Sequence, residues 1–441
     1  MIQNDVKGKG KVLRVATVFS GIGAPEQAFK RLGINHEIVF ACDTGEVEIE
    51  YDLVKERDAI SKLKTPLEKK LYVDELYASK TRKSNFVKKS YLANYAKDMV
   101  DENMFFQDIR LLDGKDFKDK VDILIGGSPC QSFSTVGFQG GLEDTRGTLF
   151  YDYANLIKDV NPKVFIYENV RGLKNHDKGK TWNIMKNAFD ELGYHIDESI
   201  LNARDYGIPQ IRQRLFVIGI RKDIKLTKQF EFPKGFELPE YVNDMHKFLE
   251  DKVTFGHMKY VQKDTNNNMG ALYFEETSEE EKLNQAKYLS KYVLSQKLYD
   301  YVMKGGTKTF YQKPVIDKAI ARTLLKTMGN HHRAGVDNYI EITSDSILGE
   351  DTIEYFIEKE TKRLKFNDTK DFVDFYYNDK DARRTIRMLT PREAHRLMGF
   401  TDDYKIVVSD AQAYKQAGNS IVVDVVMAIL KEIFKTGALQ S

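Results

Sequence analysis

Cysteine is nearly absent from this chain: Cys42 and Cys130 are the only two in 441 residues. That excludes a disulfide framework and argues against a cysteine-built zinc site, so no metal is expected and any work done by Cys130 is done as a free thiol. Long apolar runs are missing too. Nothing approaches the ~18 apolar residues of a membrane span, and the opening MIQNDVKGKGKVLR lacks the apolar stretch of a secretion signal. A cytoplasmic location is therefore expected, with no membrane partner. Nor does one sign of charge dominate: 68 Lys and Arg stand against 66 Asp and Glu, for a net charge of +2. Charge balance alone thus announces no polyanionic partner. Internal repeats and low-complexity tracts are also absent. The local exception is a basic insertion at about 46–90. Between Tyr51 and Ser90 there are 11 Lys and Arg against 6 Asp and Glu, which reads first as a solvated helical segment and second as a surface facing phosphates.

What is present is enough to build a large core and a second, smaller domain: 41% of residues are hydrophobic and 12% aromatic. From residue 12 to about 220, short β-branched runs alternate with amphipathic segments, the pattern of βαβ units and a parallel sheet. The expected strands are VLRVATVF, HEIVFACD, VDILIGG, KVFIYENV, YHIDESIL and RLFVIGI. The helix PEQAFKRLG opens with Pro25 and stops at Gly33, and TLFYDYANLIKDVNP is shut off by Pro162. The expected class is α/β, a doubly wound Rossmann-like domain that binds ligands beyond the carboxyl ends of its strands. After Lys222 the texture turns polar, lysine-rich and tyrosine-rich, as expected of a less regular domain. Amphipathic periodicity returns in RRTIRMLTPREAHRLMGF and YKQAGNSIVVDVVMAILKEIF.

Four strand exits carry chemistry. The first reads FSGIGAPE, where Gly21 and Gly23 permit a tight turn and Glu26 stands in place of the last glycine of a G-x-G-x-x-G pattern. A dinucleotide pyrophosphate is therefore disfavoured. Asp43 ends the second strand, suited to ribose hydroxyls, and Asp108 in FFQDIR is suited to an adenine amino group. Together they favour a nucleoside without a pyrophosphate. The third exit is IGGSPCQSFS, which sets Cys130 in a glycine-rich turn where backbone N–H groups can stabilise a thiolate. The next strand ends YENV, with Glu168 able to protonate a ring nitrogen and Asn169 able to fix it. In IPQIRQRLFVIG, alternation puts Gln210, Arg212 and Arg214 on one strand face.

In order along the chain, FSGIG, GGSPCQSFS, RGTLFYDYANLI, YENV, QIRQR, RRTIRMLTPREAHRLMGF and QAGNSIVV resemble the motif series of the cytosine-C5 DNA methyltransferases of bacterial restriction-modification type. The resemblance covers roughly residues 12–220 and 320–430. It implies a catalytic domain binding S-adenosylmethionine over 1–222, a target-recognition domain over 223–400, and a segment 401–441 that returns to the first. It also implies the site. Phe19, Ser20, Gly21, Gly23, Asp43, Asp108, Ile109, Pro129, Leu149, Asn419 and Ser420 would bind the cofactor, released as S-adenosylhomocysteine. Cys130 would attack C6 of cytosine, Glu168 would engage N3 and the 4-amino group, Arg214 would meet the O2 side, and Arg212 would brace the loop and Glu168. Gln131, Ser134, Gln210, Thr323 and Leu324 would meet DNA. The loop following Cys130 would act as a lid.

The implied partners are double-stranded DNA and a cognate restriction endonuclease, with the enzyme itself a monomer. Two departures stand out: Asp43 occupies a position where the family usually has Glu, and the basic insertion interrupts the pattern. A tRNA cytosine methyltransferase and a non-catalytic nucleic-acid-binding protein of the same fold stay open as alternatives. A nicotinamide oxidoreductase is disfavoured by the missing glycine.

Overall fold

The computed structural model describes residues 12–96, 99–129, 148–236, 244–250, 258–261, 271–274, 278–305, 311–343, 348–377 and 384–440. The chain divides into two compact units: residues 1–202, 213–236 and 420–441 form the first, and residues 203–212 with 237–419 form the second.

The first unit is built on a seven-stranded sheet. Its strands are β1 (Leu13–Val18), β2 (His36–Cys42), β3 (Phe105–Phe106), β4 (Ile123–Gly126), β5 (Val164–Val170), β6 (Tyr194–Asn202) and β7 (Gln213–Arg221), in the order β3-β2-β1-β4-β5-β7-β6. All six expected strands form, and the two-residue edge strand β3 adds a seventh. β1 through β5 pair in parallel. β7 departs from the expected parallel sheet and runs antiparallel to both β5 and β6. Residues 203–212 join β6 to β7 without an α-helix, and so short a link returns the chain as an antiparallel neighbour. Strand order reverses between β1 and β4, which places the ligand-binding crevice at their carboxyl ends.

Helices α1 (Ala24–Leu32), α2 (Leu53–Ser61), α3 (Pro66–Lys80), α4 (Phe86–Tyr95), α5 (Leu149–Val160) and α6 (Lys180–Glu191) accompany the sheet. Their ends follow local chemistry. α1 carries Pro25 in its first turn and stops at Gly33, whose φ of 65° is the left-handed conformation glycine tolerates best. Thr65 and Glu68 form a capping box at the start of α3. α5 is capped by Thr148 and ends at left-handed Asn161, just before Pro162. The core between sheet and helices is aromatic, with Phe150, Tyr153, Phe165, Tyr167 and Phe189 in edge contacts. The C-terminal helix Val423–Lys435 belongs to this unit, and Asp424 takes a two-pronged ion pair from Arg31 of α1, both contacts at 2.9 Å.

The basic insertion is more than a solvated helical segment. Val47, Ile60, Val73 and Tyr77 form a small core closed by Leu111. Two of its lysines are buried as well: Lys69 reaches Asp113 at 2.7 Å and Asp116 at 2.8 Å, and Lys70 reaches Asp74 at 2.7 Å. Lysine is seldom buried unless paired, and these two are paired.

The second unit is less regular, with a β-hairpin of Met258–Val261 and Ala271–Phe274 and a short antiparallel pair of Tyr339–Glu341 and Ile386–Met388 among its helices. The Thr-Pro-Arg-Glu start expected in the sequence forms as a capping box on helix Pro391–Arg396. Glu393 of that box has a second task. It pairs with Arg387 through contacts of 2.7 and 2.8 Å, with both side chains fully buried, and it accepts from the Glu250 N–H at 2.8 Å. Neutralising one partner of such a pair leaves the other charge unpaired in the interior. Glu393→Gln is therefore expected to lower stability by about 3–5 kcal/mol, read as a lower urea midpoint in far-UV circular dichroism. An unchanged midpoint would show that the pair carries no net stabilisation.

Candidate active site

The first turn after β1 is tightly wound. Phe19 and Gly21 have φ of 50° and 54°, Gly23 has 80°, and Ser20 bridges the turn to Cys42 of β2 through 3.1–3.3 Å contacts. Gly23 is required twice over: its conformation is left-handed, and a Cβ there would lie 2.1 Å from the Tyr95 ring. Tyr95 also donates its hydroxyl to the Gly23 carbonyl at 2.8 Å. Gly21 is open by contrast. A Cβ there would meet only the Phe19 carbonyl, at 3.9 Å, so the backbone offers a ligand close approach.

Three carboxyl groups follow the exits of β1, β2 and β3, each held by different partners. Glu26, in the first turn of α1, is fully buried and accepts from Thr17 at 2.8 Å and from Tyr91 at 2.5 Å. Burial pushes its pKa up against those hydrogen bonds. Asp43 is partly buried at the end of β2 and accepts from the N–H groups of Gly21 at 2.8 Å and Gly45 at 2.7 Å. Its pKa is also raised, by burial first, with the two N–H contacts working the other way. Asp108 is closed off altogether. Its side chain has no exposed surface and takes five donors: the Arg110 N–H, Arg110 Nε and Nη2, and the hydroxyls of Tyr51 and Tyr77, all at 2.7–3.0 Å. Burial opposes its charge, but Arg110 and the two tyrosines outweigh burial and hold its pKa below the ordinary range. Asp108 thus presents no bare acceptor of the kind its sequence position suggests for an adenine amino group. Ile109 beside it is buried.

The exit of β4 is tied to β5. Gly127 has Glu168 against it so closely that a Cβ would fall 2.2 Å from the Glu168 carbonyl oxygen. Ser128 hydrogen-bonds the Tyr167 hydroxyl at 2.7 Å, and Asn169 Nδ2 donates to the Ser128 carbonyl at 2.9 Å and to the Tyr167 oxygen at 2.7 Å. Asn169 therefore holds the root of the cysteine turn, where the sequence had it fixing Glu168. Pro129 is exposed. Cys130, Gln131, Ser134 and the expected lid lie outside the described residues. Glu168 faces Arg214 of β7, with Nε 3.1 Å from Oε1, both side chains partly exposed. Leu149 opens α5 and is partly buried, and Ser420 is buried. The other thiol, Cys42, is buried, and burial pushes its pKa well up, helped by the nearby charges of Asp108 and Asp43. It packs the core as a small apolar residue.

The remaining expected site residues lie in the second unit. Gln210 is fully buried, donating to the Leu397 carbonyl at 2.8 Å and accepting from the Leu324 N–H at 3.0 Å. Arg212 is buried as well, donating to the carbonyls of Leu324 at 3.0 Å and Gly418 at 2.9 Å. Leu324 is interior, whereas Thr323 is partly exposed and donates to the Ile211 carbonyl at 2.5 Å. Asn419 is exposed at the end of helix Asp410–Asn419. Gln210, Arg212 and Arg214 do not share one strand face. Residues 209–211 exchange backbone hydrogen bonds with Ala321, and β7 begins only at Gln213.

The sequence pattern does not single out Ser128, Tyr167 or the two tyrosines on Asp108. Tyr167 had a signal, because period-two alternation puts it with Asn169 on the face opposite Glu168. Tyr51 and Tyr77 had none. Among the described residues, no group of three or more His, Cys, Asp or Glu side chains is arranged to hold a metal.

The contact at Gly127 is open to test. Gly127→Ala is expected to cost about 1–3 kcal/mol through overpacking on the Glu168 backbone. Thermal unfolding should show a lower Tm for that variant, while Gly172→Ala, with nothing within 4 Å of its new Cβ, stays near wild type. Equal Tm values for the two variants would refute the contact.

Comparison with known proteins points one way. The family model for C-5 cytosine-specific DNA methylase matches residues 60–435. Orphan methyltransferase M.SPRI of Bacillus phage SPR is 30% identical, over 96% of this chain and 98% of its own. Type II methyltransferase M.HpaII of Haemophilus parainfluenzae is 33% identical, over 79% of this chain and 80% of its own. Among solved structures, the Dnmt2 methyltransferase of S. pombe shares the fold, with a TM-score of 0.55 at 18% identity over 96% of this chain and 98% of its own. The match spans most of the chain, both units included: this protein belongs to the C-5 cytosine-specific DNA methylase family and is a methyltransferase.

Proposed function

We propose that the enzyme transfers a methyl group from S-adenosylmethionine to C5 of a cytosine flipped out of a specific duplex DNA sequence, through a covalent adduct between Cys130 and C6. The observation that carries this reading is the tie between the root of the cysteine turn and the strand bearing Glu168: Gly127 abuts Glu168, and Tyr167 and Asn169 hold Ser128 two residues before the thiol.

The first turn fits the proposed cofactor. The buried carboxyl of Glu26 fills the first turn of α1, where a pyrophosphate would otherwise sit. The open backbone at Gly21 and the partly exposed Asp43 suit a ribose and a cationic centre instead. Phe19, Ser20, Gly21 and Gly23 would line the site, Asp43 would hold the ribose, the Asp108–Ile109 turn would border the adenine, and Pro129, Leu149, Asn419 and Ser420 would complete it. When bound, the cofactor supplies an electrophilic methyl carbon and leaves as S-adenosylhomocysteine.

The protein residues make C5 a nucleophile. The Cys130 thiolate forms a bond to C6 while Glu168 gives a proton to N3 and accepts from the 4-amino group, so the electron pair moves to C5. Arg214 holds the O2 side, and Arg212 keeps the Leu324 and Gly418 segments in place. After transfer, water takes the C5 proton as the Cys130 thiolate is expelled, and N3 returns its proton to the Glu168 carboxylate, which restores the neutral ring. A stacked cytosine hides both faces of C6, so the base must leave the helix, at an unstacking cost of a few kcal/mol. Gln131, Ser134 and Thr323 would shape the DNA-facing side, with residues 223–400 reading sequence, while buried Gln210 and Leu324, expected from the sequence to meet DNA, instead hold each other and the Leu397 segment in place. The Type II names of several relatives support a role in restriction-modification beside a cognate endonuclease. We place the enzyme in the cytoplasm as a DNA-associated monomer.

Incubation with methyl-labelled S-adenosylmethionine is expected to label duplex DNA and leave tRNA unlabelled. The reverse would identify a tRNA enzyme, and no label in either would identify a binding protein. Cys130→Ser is expected to lose methyl transfer by at least about 10³-fold while cofactor affinity, measured by calorimetry, stays at the wild-type value. Near wild-type turnover would exclude Cys130 as the nucleophile.

A further inference from the structure

The helical insertion reaches three separate segments of the proposed cofactor pocket. Tyr51, ahead of α2, and Tyr77, in α3, both donate to Oδ2 of Asp108 at 2.7 Å. Arg57 of α2 donates Nε to the Arg110 carbonyl at 2.8 Å and Nη2 to Asp152 at 2.7 Å, joining the Asp108 turn to the first turn of α5, where Leu149 stands. Asn85, the cap of α4, donates to the Asp43 carbonyl at 2.8 Å and fills the space that a Cβ on Gly45 would need.

At the centre of these contacts lies the saturated carboxylate of Asp108. A carboxylate has about four lone-pair sites, and Asp108 serves five donors with no exposed surface. It has no capacity left for a ligand amine, so its influence on a ligand passes through the backbone it holds. That backbone is the 109–111 turn, fixed by the Arg110 N–H on Asp108 Oδ1 at 3.0 Å and the Leu111 N–H on the Asp108 carbonyl at 3.1 Å. The Arg110 guanidinium also lies over the Tyr51 ring, 5.1 Å from its centroid. Without the two hydroxyls, Asp108 and Arg110 can relax as a pair and take the turn with them.

We propose that Tyr51 and Tyr77, supplied by the insertion, are positioning residues for the S-adenosylmethionine site: they lock Asp108 and thereby the Ile109-bearing turn that borders the adenine. The inference rests on the cofactor reading given under the proposed function. It assigns the insertion a part in cofactor affinity, acting on binding and not on the chemical step.

The test uses the full chain carrying Tyr51→Phe, Tyr77→Phe and both together, with S-adenosylmethionine and duplex DNA. Loss of two hydrogen bonds to a buried charge is expected to raise the Kd and KM for S-adenosylmethionine by about 10-fold or more in the double variant. The kcat at saturating cofactor should stay within about twofold of wild type. Tyr51→Phe alone, at a partly exposed position, keeps the test informative if the double variant folds poorly, and should raise Kd by about threefold. Tyr72→Phe is the control: its hydroxyl bonds Glu56 inside the insertion at 2.5 Å and does not touch Asp108, so cofactor affinity should be unchanged. Wild-type affinity in the double variant, or an equal loss in Tyr72→Phe, would overturn the proposal. A wild-type protein that binds no S-adenosylmethionine would instead overturn the cofactor reading, and the inference with it.

Discussion

Ser128, Tyr167 and Asn169 close a small buried ring of hydrogen bonds between the exit of β4 and the end of β5. Two backbones that meet at a sheet edge have nothing of their own to keep them in register once the ladder stops, and here side chains take over. Because the ring is buried, each polar atom in it must be satisfied by another, which rigidifies the junction. Gly127 then brings the backbone into contact with Glu168 at a distance no other residue would permit. The spatial relation between Gly127–Ser128 and the strand that carries Glu168 descends from these few contacts.

The carboxyl groups that follow β1, β2 and β3 show how environment divides labour among similar residues. Glu26 sits in the interior with the hydroxyls of Thr17 and Tyr91 on its carboxyl, and burial raises its pKa. Asp108 is as deeply placed, but a guanidinium and two phenols keep it ionised. Asp43 keeps part of its surface exposed, beside the one glycine of the turn whose missing side chain leaves open space. Of the three, Asp43 is therefore the one shaped to meet a ligand directly, while Glu26 ties the Thr17 and Tyr91 side chains together and Asp108 holds the backbone of its turn. Cys42 is buried among apolar neighbours and negative charge that disfavour a thiolate.

Six of seven strands, the capped starts of α3 and Pro391–Arg396, and the glycine stop of α1 were legible because each depends on residues adjacent in sequence. So was the grouping of Phe19 to Gly23, Asp43 and Glu168 at one sheet edge, since strand ends in a doubly wound sheet converge there. The antiparallel turn of β7 was not legible as parallel-sheet periodicity, because alternation is the same in either direction. The interior position of Gln210 was hidden for a similar reason. A polar residue in an alternating run reads as surface-facing, and only the carbonyl of Leu397 and the N–H of Leu324, each more than 100 residues away, make its burial affordable.

The sequence by itself determined the class of fold, the order of the motifs and the chemical character of the proposed nucleophile and its carboxyl partner, because these rest on residue type and short-range spacing. Tertiary structure alone decided what Asp108 is for. Its five donors come from Tyr51, Tyr77 and Arg110, and the two tyrosines lie 57 and 31 residues away. No local pattern marks a tyrosine in a lysine-rich helix as the partner of a distant aspartate. That pairing arises only when the insertion folds its own small core against Leu111 and carries both hydroxyls to one buried charge.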